Sequence, residues 1–518
     1  MSDGQGEIEL PKAPRTPEEI AARRADKAKK KRAKKRAKAQ TLSAITISVF
    51  LCWLGSTVFI SSHKVIAAQL GISTLEVTLA LASYSVALIM VAIAGGRLCD
   101  IIGRKRMFII AGLVFSVTAL CGALIENFWT LLLVRVLMGL CAGLILTSTG
   151  GVLVTTMSGN IRHDGWLLWR GAGMSGMVLG PVFGPVIIGA VDWHTPFLAN
   201  ALLMLVAVAL GALGMKESRD EDSTFSFGLM APTVLLGFGL LSPYLVLLVF
   251  KEQIESWPLV GAVVVGGIAC FIGYFVLNRK YSNKLFDTNI VTHNRRMWLT
   301  DIFGGIHVGA LFVVVAAFTV ILDADTNLTS TWIGIGMLPL VLPLITLHLL
   351  AHRFREKYGL TRQKETIIGC VLLTLSIIWW FAVVVRDPSY WTILPALILV
   401  GSGFGLIRLY GHMGVIKVTG QRWSSTLFGT RTFSNHIGAT IGAVVIGYVL
   451  LAASIGTETL DPVVAKQAGL VAGFSILVVI ASSIVFAGLK AELLGLEDPH
   501  WHAAAATETG AASGTTVV

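Results

Sequence analysis

The chain has 518 residues, 54% of them hydrophobic and 14% charged, with a mean hydropathy of +0.76 and a formal net charge of +11. A soluble protein of that length cannot hide so much apolar surface unless it splits into domains with polar skins. The apolar residues come instead in blocks of about 20 or more, the length a helix needs to cross about 30 Å of hydrocarbon, so lipid is the expected solvent of most of the chain.

Residues 1–40 stand apart. Thr16-Pro17-Glu18-Glu19 carries a helix-start signature, a cap, then proline, then Glu at the third position. Good helix formers dense in Lys and Arg follow. The plain reading is a solvated, partly helical cytoplasmic tail that fixes orientation. A second reading is attraction to anionic lipid, worth about 1 kcal/mol per basic residue near the surface. A nucleic-acid role is disfavoured, because the tail is tethered to a membrane and has no aromatics for stacking.

Beyond Gln40, fourteen candidate spans follow, at 41–63, 75–97, 107–125, 128–157, 166–190, 196–215, 228–250, 257–278, 298–322, 330–351, 365–385, 391–416, 426–453 and 467–489. Barrel strands would be about half as long and alternating, which excludes a β-barrel. The six cysteines lie in or beside these spans without a CxxC pair and read as small apolar side chains, not as disulfides or zinc ligands. With the basic tail inside, Arg104–Arg106, Arg162, Lys216, Arg219, Arg279, Lys280, Arg295, Arg296, Arg353, Arg355, Lys417 and Arg422 all fall on the cytoplasmic side. The opposite loops keep only Lys64, Lys251, Arg386 and Lys466, the bias the positive-inside rule requires. Both termini are then cytoplasmic, in the plasma (inner) membrane.

Between spans 2 and 3, residues 95–106 read GGRLCDIIGRKR. Gly96 and Gly103 permit a tight reversal and close backbone approach. The bases Arg104, Lys105 and Arg106 hold the loop inside. Asp100 is the informative residue, since an acid at the inner membrane edge gains from a basic partner or a helix N-terminus. A purely topogenic loop needs the bases but neither the acid nor the glycines. The segment resembles the signature loop of the major facilitator superfamily, where it acts as a cytoplasmic gate latch during alternating access. Ile101 stands where that family usually has an Arg, which implies one latch contact fewer. HRFREKYGLTR (352–362) after span 10 is a degenerate copy, with Glu356 and Gly359 at the spacing of Asp100 and Gly103, as a structural repeat would give.

In span 4, Arg135, Gly139 and Gly143 share a face at i, i+4, i+8, so a neighbour can pack closely on it. This resembles the family's span-4 motif, whose Arg is associated with proton coupling; the alternative is helix packing with a buried, paired Arg. In span 5, GMSGMVLGPVFGPVIIG (173–189) resembles the antiporter motif of the exporting branches, with Gly176, Gly180, Pro181 and Gly184 in register and Pro185 in place of the usual second glycine of the closing pair. DWHTPFLAN (192–200) resembles the family's entry to span 6, with His194 and Thr195 in place of Arg and Trp. Fourteen spans, two of them inserted between six-span halves, resemble the fourteen-span drug:proton antiporter branch, a likeness that covers essentially all of 41–490. In that branch span 1 carries an early Asp, a candidate for binding protons or cationic drugs; Gly55 stands there in this chain.

Acids inside the spans are scarce, with only Asp301 about one turn in from the cytoplasmic side. Bases are better represented, by Arg135, Arg170, Arg408 and Arg431, with His307, His412 and His436. Arg408 or Arg431 pairing with Asp301 is the structural alternative to a cavity of positive potential that favours an anionic head group. His307 and His436 are placed near mid-membrane, where they could exchange protons near neutral pH.

The expected fold is an all-α integral membrane protein of major-facilitator type. Its parts are a basic tail (1–40), a six-helix bundle (41–219), two inserted helices with a linker (220–297), a second six-helix bundle (298–490) and a disordered cytoplasmic tail (491–518). The resemblance implies a monomeric multidrug efflux antiporter for amphipathic small molecules, with no cofactor, the proton gradient as its energy source and membrane lipid as its surroundings. The alternatives are a transporter of an anionic or lipid-linked envelope metabolite, a membrane-embedded transferase, and a non-transporting sensor. The transferase is disfavoured because the short outer loops hold no His/Asp/Glu cluster.

Overall fold

The computed structural model describes residues 17–60, 62–157, 159–221, 257–280, 295–324, 330–384, 389–407, 424–454 and 462–488, together with Leu235, Phe238, Gly239, Ser242 and Val246. Among these residues there is no strand. The first bundle is built from α1 (Pro17–Thr57), α3 (Thr74–Ile102), α4 (Arg104–Cys121), α5 (Phe128–Thr156), α6 (Gly159–Ala190) and α7 (Thr195–Gly214), with a short outer helix α2 (His63–Leu70). Helix α8 (Trp257–Lys280) follows. The second bundle comprises α9 (Arg295–Ala324), α10 (Ser330–Gly336), α11 (Leu338–Tyr358), α12 (Arg362–Trp379), α13 (Tyr390–Leu406), α14 (Ser424–Ser454) and α15 (Pro462–Gly488).

Local chemistry sets the ends. Ser73 and Glu76 form a capping box at α3, Asn127 and Thr130 one at α5, and the Thr361 hydroxyl caps α12. Among the described residues ten helices are long and apolar enough to cross a membrane, and the shorter apolar stretches Tyr390–Leu406 and Gly469–Val485 join them. Of the two expected spans not among these, 426–453 falls on the helix Ser424–Ser454 and 228–250 lies mostly outside the described residues, so the count of fourteen rests on both.

Several boundaries differ from expectation. The basic tail and the first span are one helix of 41 residues, because no Gly or Pro occurs between Glu18 and Leu54. That helix ends at Thr57, just past Gly55, and not at 63; a turn at 58–60 follows, before α2. The tenth span is broken at Met337, since Pro339 in the first turn of α11 has no N–H to continue the preceding helix. Helix α12 passes into a π-helical turn over Trp380–Val384.

The halves meet along two seams, α14 against α3 and α5, and α6 against α10 and α11. At the end that holds the α3–α4 turn a methyl group on Gly96 would fall 2.5 Å from the Ser425 carbonyl oxygen, so only glycine lets α3 and α14 touch backbone to backbone. At the opposite end Gly334 of α10 meets the Val182 carbonyl of α6 in the same way. Helix α8 stands apart: 11% of its most apolar window is buried, against 67% for α3. Its Phe271 and Gly267 face Gly239 and Ser242 of the preceding segment.

Candidate functional site

Gly103 joins α3 to α4 at φ +123°, a conformation side chains avoid, and Glu217 occupies the space where its Cβ would point. The reversal turns Asp100 inward, where it is fully buried. Its Oδ1 accepts hydrogen bonds from Arg104 Nε (2.9 Å), Arg104 Nη2 (2.6 Å) and the Ser425 backbone N–H (3.1 Å). Its Oδ2 accepts from the Thr426 N–H (3.0 Å) and hydroxyl (2.9 Å). Ser425 and Thr426 lie in the first turn of α14, so a carboxylate of the first bundle sits on the positive end of a helix of the second. Arg104, grouped in the sequence with the topogenic bases, is buried as the ion-pair partner of Asp100 and also reaches the Ser425 hydroxyl at 3.2 Å. Arg106 alone of that run is exposed. Ile101 packs against Ala94.

The segment after α7 laces this corner together. Asp220 pairs with Arg97 at 3.1 Å and donates its N–H to the Asp100 carbonyl at 2.7 Å. Glu217 accepts from the N–H groups of Lys105 and Arg106, both at 3.1 Å, and so caps α4. Neither acid stood out in the sequence, although both lie in a run, KESRDED, directly after the sixth span. Gly359 at the end of α11 adopts φ +60°, the backbone counterpart of Gly103; the Glu356 side chain lies outside the described residues.

Midway through the bundles lies a cavity of about 70 Å³. Trp53 of α1, Trp166, Trp169 and Arg170 of α6, His307 of α9, and Arg431 and Asn435 of α14 line it, with His348 of α11. The Trp166 and Trp169 rings stack at 5.6 Å and 6°, and Phe428 stands edge-on to both at 5.3 Å. Arg431 Nη1 lies 3.6 Å from Asp301 Oδ1 and donates to the Thr300 carbonyl, so the pairing weighed for Asp301 forms. His307 is buried, edge-on to Phe404 at 5.0 Å, and its Nδ1 has no hydrogen-bond partner.

Thus Arg170, His307 and Arg431 reach the cavity together, while Asp301 and His436 sit one contact behind it, the latter stacked on Trp53 at 4.1 Å. Arg135, expected with this group, is elsewhere. It lies in the outer half of α5, where it donates to the carbonyls of Gly55 (2.7 Å) and Leu81 (3.1 Å) and covers the Tyr84 ring at 4.4 Å. It has turned towards the position of the missing span-1 acid and takes a backbone oxygen there. Arg408 and His412 lie outside the described residues. The tryptophans, His348 and Asn435 escaped the sequence reading; Trp166, Trp169, Arg170 and Gly173, spaced three and four apart, were the available signal.

The span-5 glycines have a plain structural use. Gly176, Gly180 and Gly184 take the α1 main chain and side chains of Phe50, Thr57 and Val58 directly against α6, with Pro181 and Pro185 inside the same helix. In the following outer turn the Asp192 carboxyl is held below its ordinary value: burial raises it, but hydrogen bonds from the His194 ring and the Trp193 and His194 N–H groups outweigh that.

Two helical bundles around a mid-membrane cavity, bridged on one face by a carboxylate on a helix end, define a membrane transport protein, not an enzyme. The sequence profile of the Major Facilitator Superfamily matches residues 45–443, and the chain belongs to that family. It is 25% identical over 488 residues to the puromycin resistance protein of Streptomyces alboniger, covering 91% of this chain and 93% of that one. It is 22% identical to the tetracenomycin C resistance and export protein of Streptomyces glaucescens, over 80% and 76% of the two chains. The methyl viologen resistance protein of Salmonella typhimurium is 21% identical, over 79% and 82%. Among solved structures the nucleoside transporter NupG shares the fold, with a TM-score of 0.54 at 14% identity over 87% of this chain and 99% of that one.

Proposed function

We propose that this protein exports amphipathic small molecules by alternating access, in exchange for protons, from the cytoplasmic face of the plasma membrane. The observation that carries the reading is the Asp100 carboxylate on the N-terminus of α14: five hydrogen bonds, three of them to the opposite bundle, hold the cytoplasmic ends shut in this conformation. Charge-assisted bonds are worth about 1.5–3 kcal/mol each, small enough for substrate or a proton to tip the balance. The opposite seam, Gly334 on Val182, is closed as well, and about 70 Å³ is too small for a drug-sized ligand, for which about 300–1,000 Å³ is usual. Transport then requires the two seams to part in turn.

The resistance and export functions that the relatives' names carry support a drug-like cargo. The proton gradient, rather than a cofactor, is the energy source in this reading, and the protein works as a monomer with both termini in the cytoplasm. Anionic lipid meets the basic turns adjoining Thr41; the rest of the helical rod, about 36 Å at 1.5 Å per residue, reaches beyond a Debye length. Purified protein in proteoliposomes tests the reading. An imposed pH gradient, acid on the side that is extracellular in the cell, is expected to drive transport of a neutral amphipathic dye such as Nile red at least about tenfold above protein-free vesicles, and the drive should collapse with a protonophore. Flux indifferent to the gradient removes proton exchange.

A further inference from the structure

We propose that the central cavity selects aromatic organic anions, seating a carboxylate- or sulfonate-type head group between Arg170 and His307 and the ring system against Trp53, Trp166 and Trp169. The proposal rests on the reading of this cavity as the transport site.

Charge comes first. Among the described residues the lining holds Arg170, Arg431, His307 and His348 and no carboxylate. Asp301 stands behind Arg431 and is engaged with it, so among the described residues the lining itself carries two guanidinium groups and no carboxylate. A cation entering this low-dielectric space meets like charge, while an anion replaces water with fixed donors. Further along α1, among the described residues Arg135 donates to the backbone carbonyls of Gly55 and Leu81 and not to an acid.

The second observation concerns hydrogen bonding. His307 is 6% exposed, and its Nδ1 has no partner. A buried ring nitrogen left unsatisfied is costly, and a ligand head group placed beside Arg170 would satisfy it.

The third concerns the rings. Trp166 and Trp169 are parallel within 6°, and the Trp169 Nε1 donates to Thr149 at 3.2 Å. Trp53 is held by its stack on His436 at 4.1 Å. These faces are set before any ligand arrives, so little ordering is needed to bind a flat ring.

Three probes sharing one ring separate the terms: 2-naphthalenesulfonate, 2-naphthalenemethanol and (2-naphthylmethyl)trimethylammonium. Binding to the full chain in lipid nanodiscs is expected to favour the sulfonate over the alcohol by about tenfold or more, with the ammonium weakest. Arg170→Gln should bring the sulfonate-to-alcohol ratio close to one. Should that variant fail to fold, His307→Gln is read by the same ratio. A sulfonate bound no more tightly than the alcohol, a preference for the ammonium, or a ratio unchanged in both variants overturns the proposal. Gradient-driven Nile red flux without a sulfonate preference keeps the export reading and removes this one. A sulfonate preference without flux of any probe does the reverse.

Discussion

Asp100 and Thr426 lie 326 positions apart in the chain, yet the carboxylate of one accepts both the backbone N–H (3.0 Å) and the hydroxyl (2.9 Å) of the other. Asp100→Asn keeps the shape and removes the charge that favours the α14 N-terminus. Flux in proteoliposomes should fall about tenfold or more, as the loss of one charge-assisted contact implies, with the protein still reaching the membrane in normal amount. Unchanged flux would mean that the contact is not part of the cycle.

The Arg97–Asp220 pair is buried at 8% and 4% side-chain exposure. Removing one partner strands a charge and typically costs about 3–5 kcal/mol, whereas replacing both by apolar residues is often nearly neutral. Thermal unfolding in detergent should therefore rank wild type, then Arg97→Met/Asp220→Leu, then Asp220→Leu alone. A double variant no more stable than the single would show that the pair does not act as a unit.

Glycines in α6 and α8 should respond oppositely. Gly184→Ala forces a methyl group into the Val58 carbonyl, a backbone atom with no room to move, and overpacking of that kind costs about 1–3 kcal/mol. Gly261→Ala in α8 meets nothing within 4 Å. The expected result is a lowered melting temperature for the first and none for the second; equal shifts would contradict the close α1–α6 seam.

Arg135→Lys retains the charge and loses the planar fork that serves two carbonyls and the Tyr84 face at once. It should destabilise the first bundle by about 1–3 kcal/mol through the unsatisfied carbonyl of Gly55 or Leu81. Full stability of Arg135→Lys, measured by the same melt, would show that charge alone matters there.

Much of the fold was legible because local chemistry writes it: apolar runs of membrane length, and glycines at Gly96, Gly176, Gly180 and Gly184 where helices cross closely. The Asp100 latch was legible in kind, as an acid seeking a base or a helix end, but not in partner. Ser425 and Thr426 follow no pattern of their own, and only the packing of α3 on α14 brings them near. The cavity was half legible. Arg170, His307 and Arg431 announced themselves as costly charges or histidines in lipid, whereas Trp53, Trp166 and Trp169 look like any membrane aromatics until the bundles close around them. Arg135 was open to two readings, a coupling residue or a buried, paired arginine, and backbone carbonyls and a ring face satisfy it in the structure.

The central claim is that Asp100 holds the cytoplasmic ends of the two bundles together. Its most direct test is the distance between spin labels at Ala39→Cys on α1 and Lys357→Cys on α11, both exposed on that side, in a background with the exposed Cys121 replaced by Ser. Pulsed electron resonance on ligand-free protein in nanodiscs should give a mainly short separation for the otherwise native chain and a longer, broader distribution once Asp100→Asn is added. Identical distributions with and without that substitution would contradict the claim.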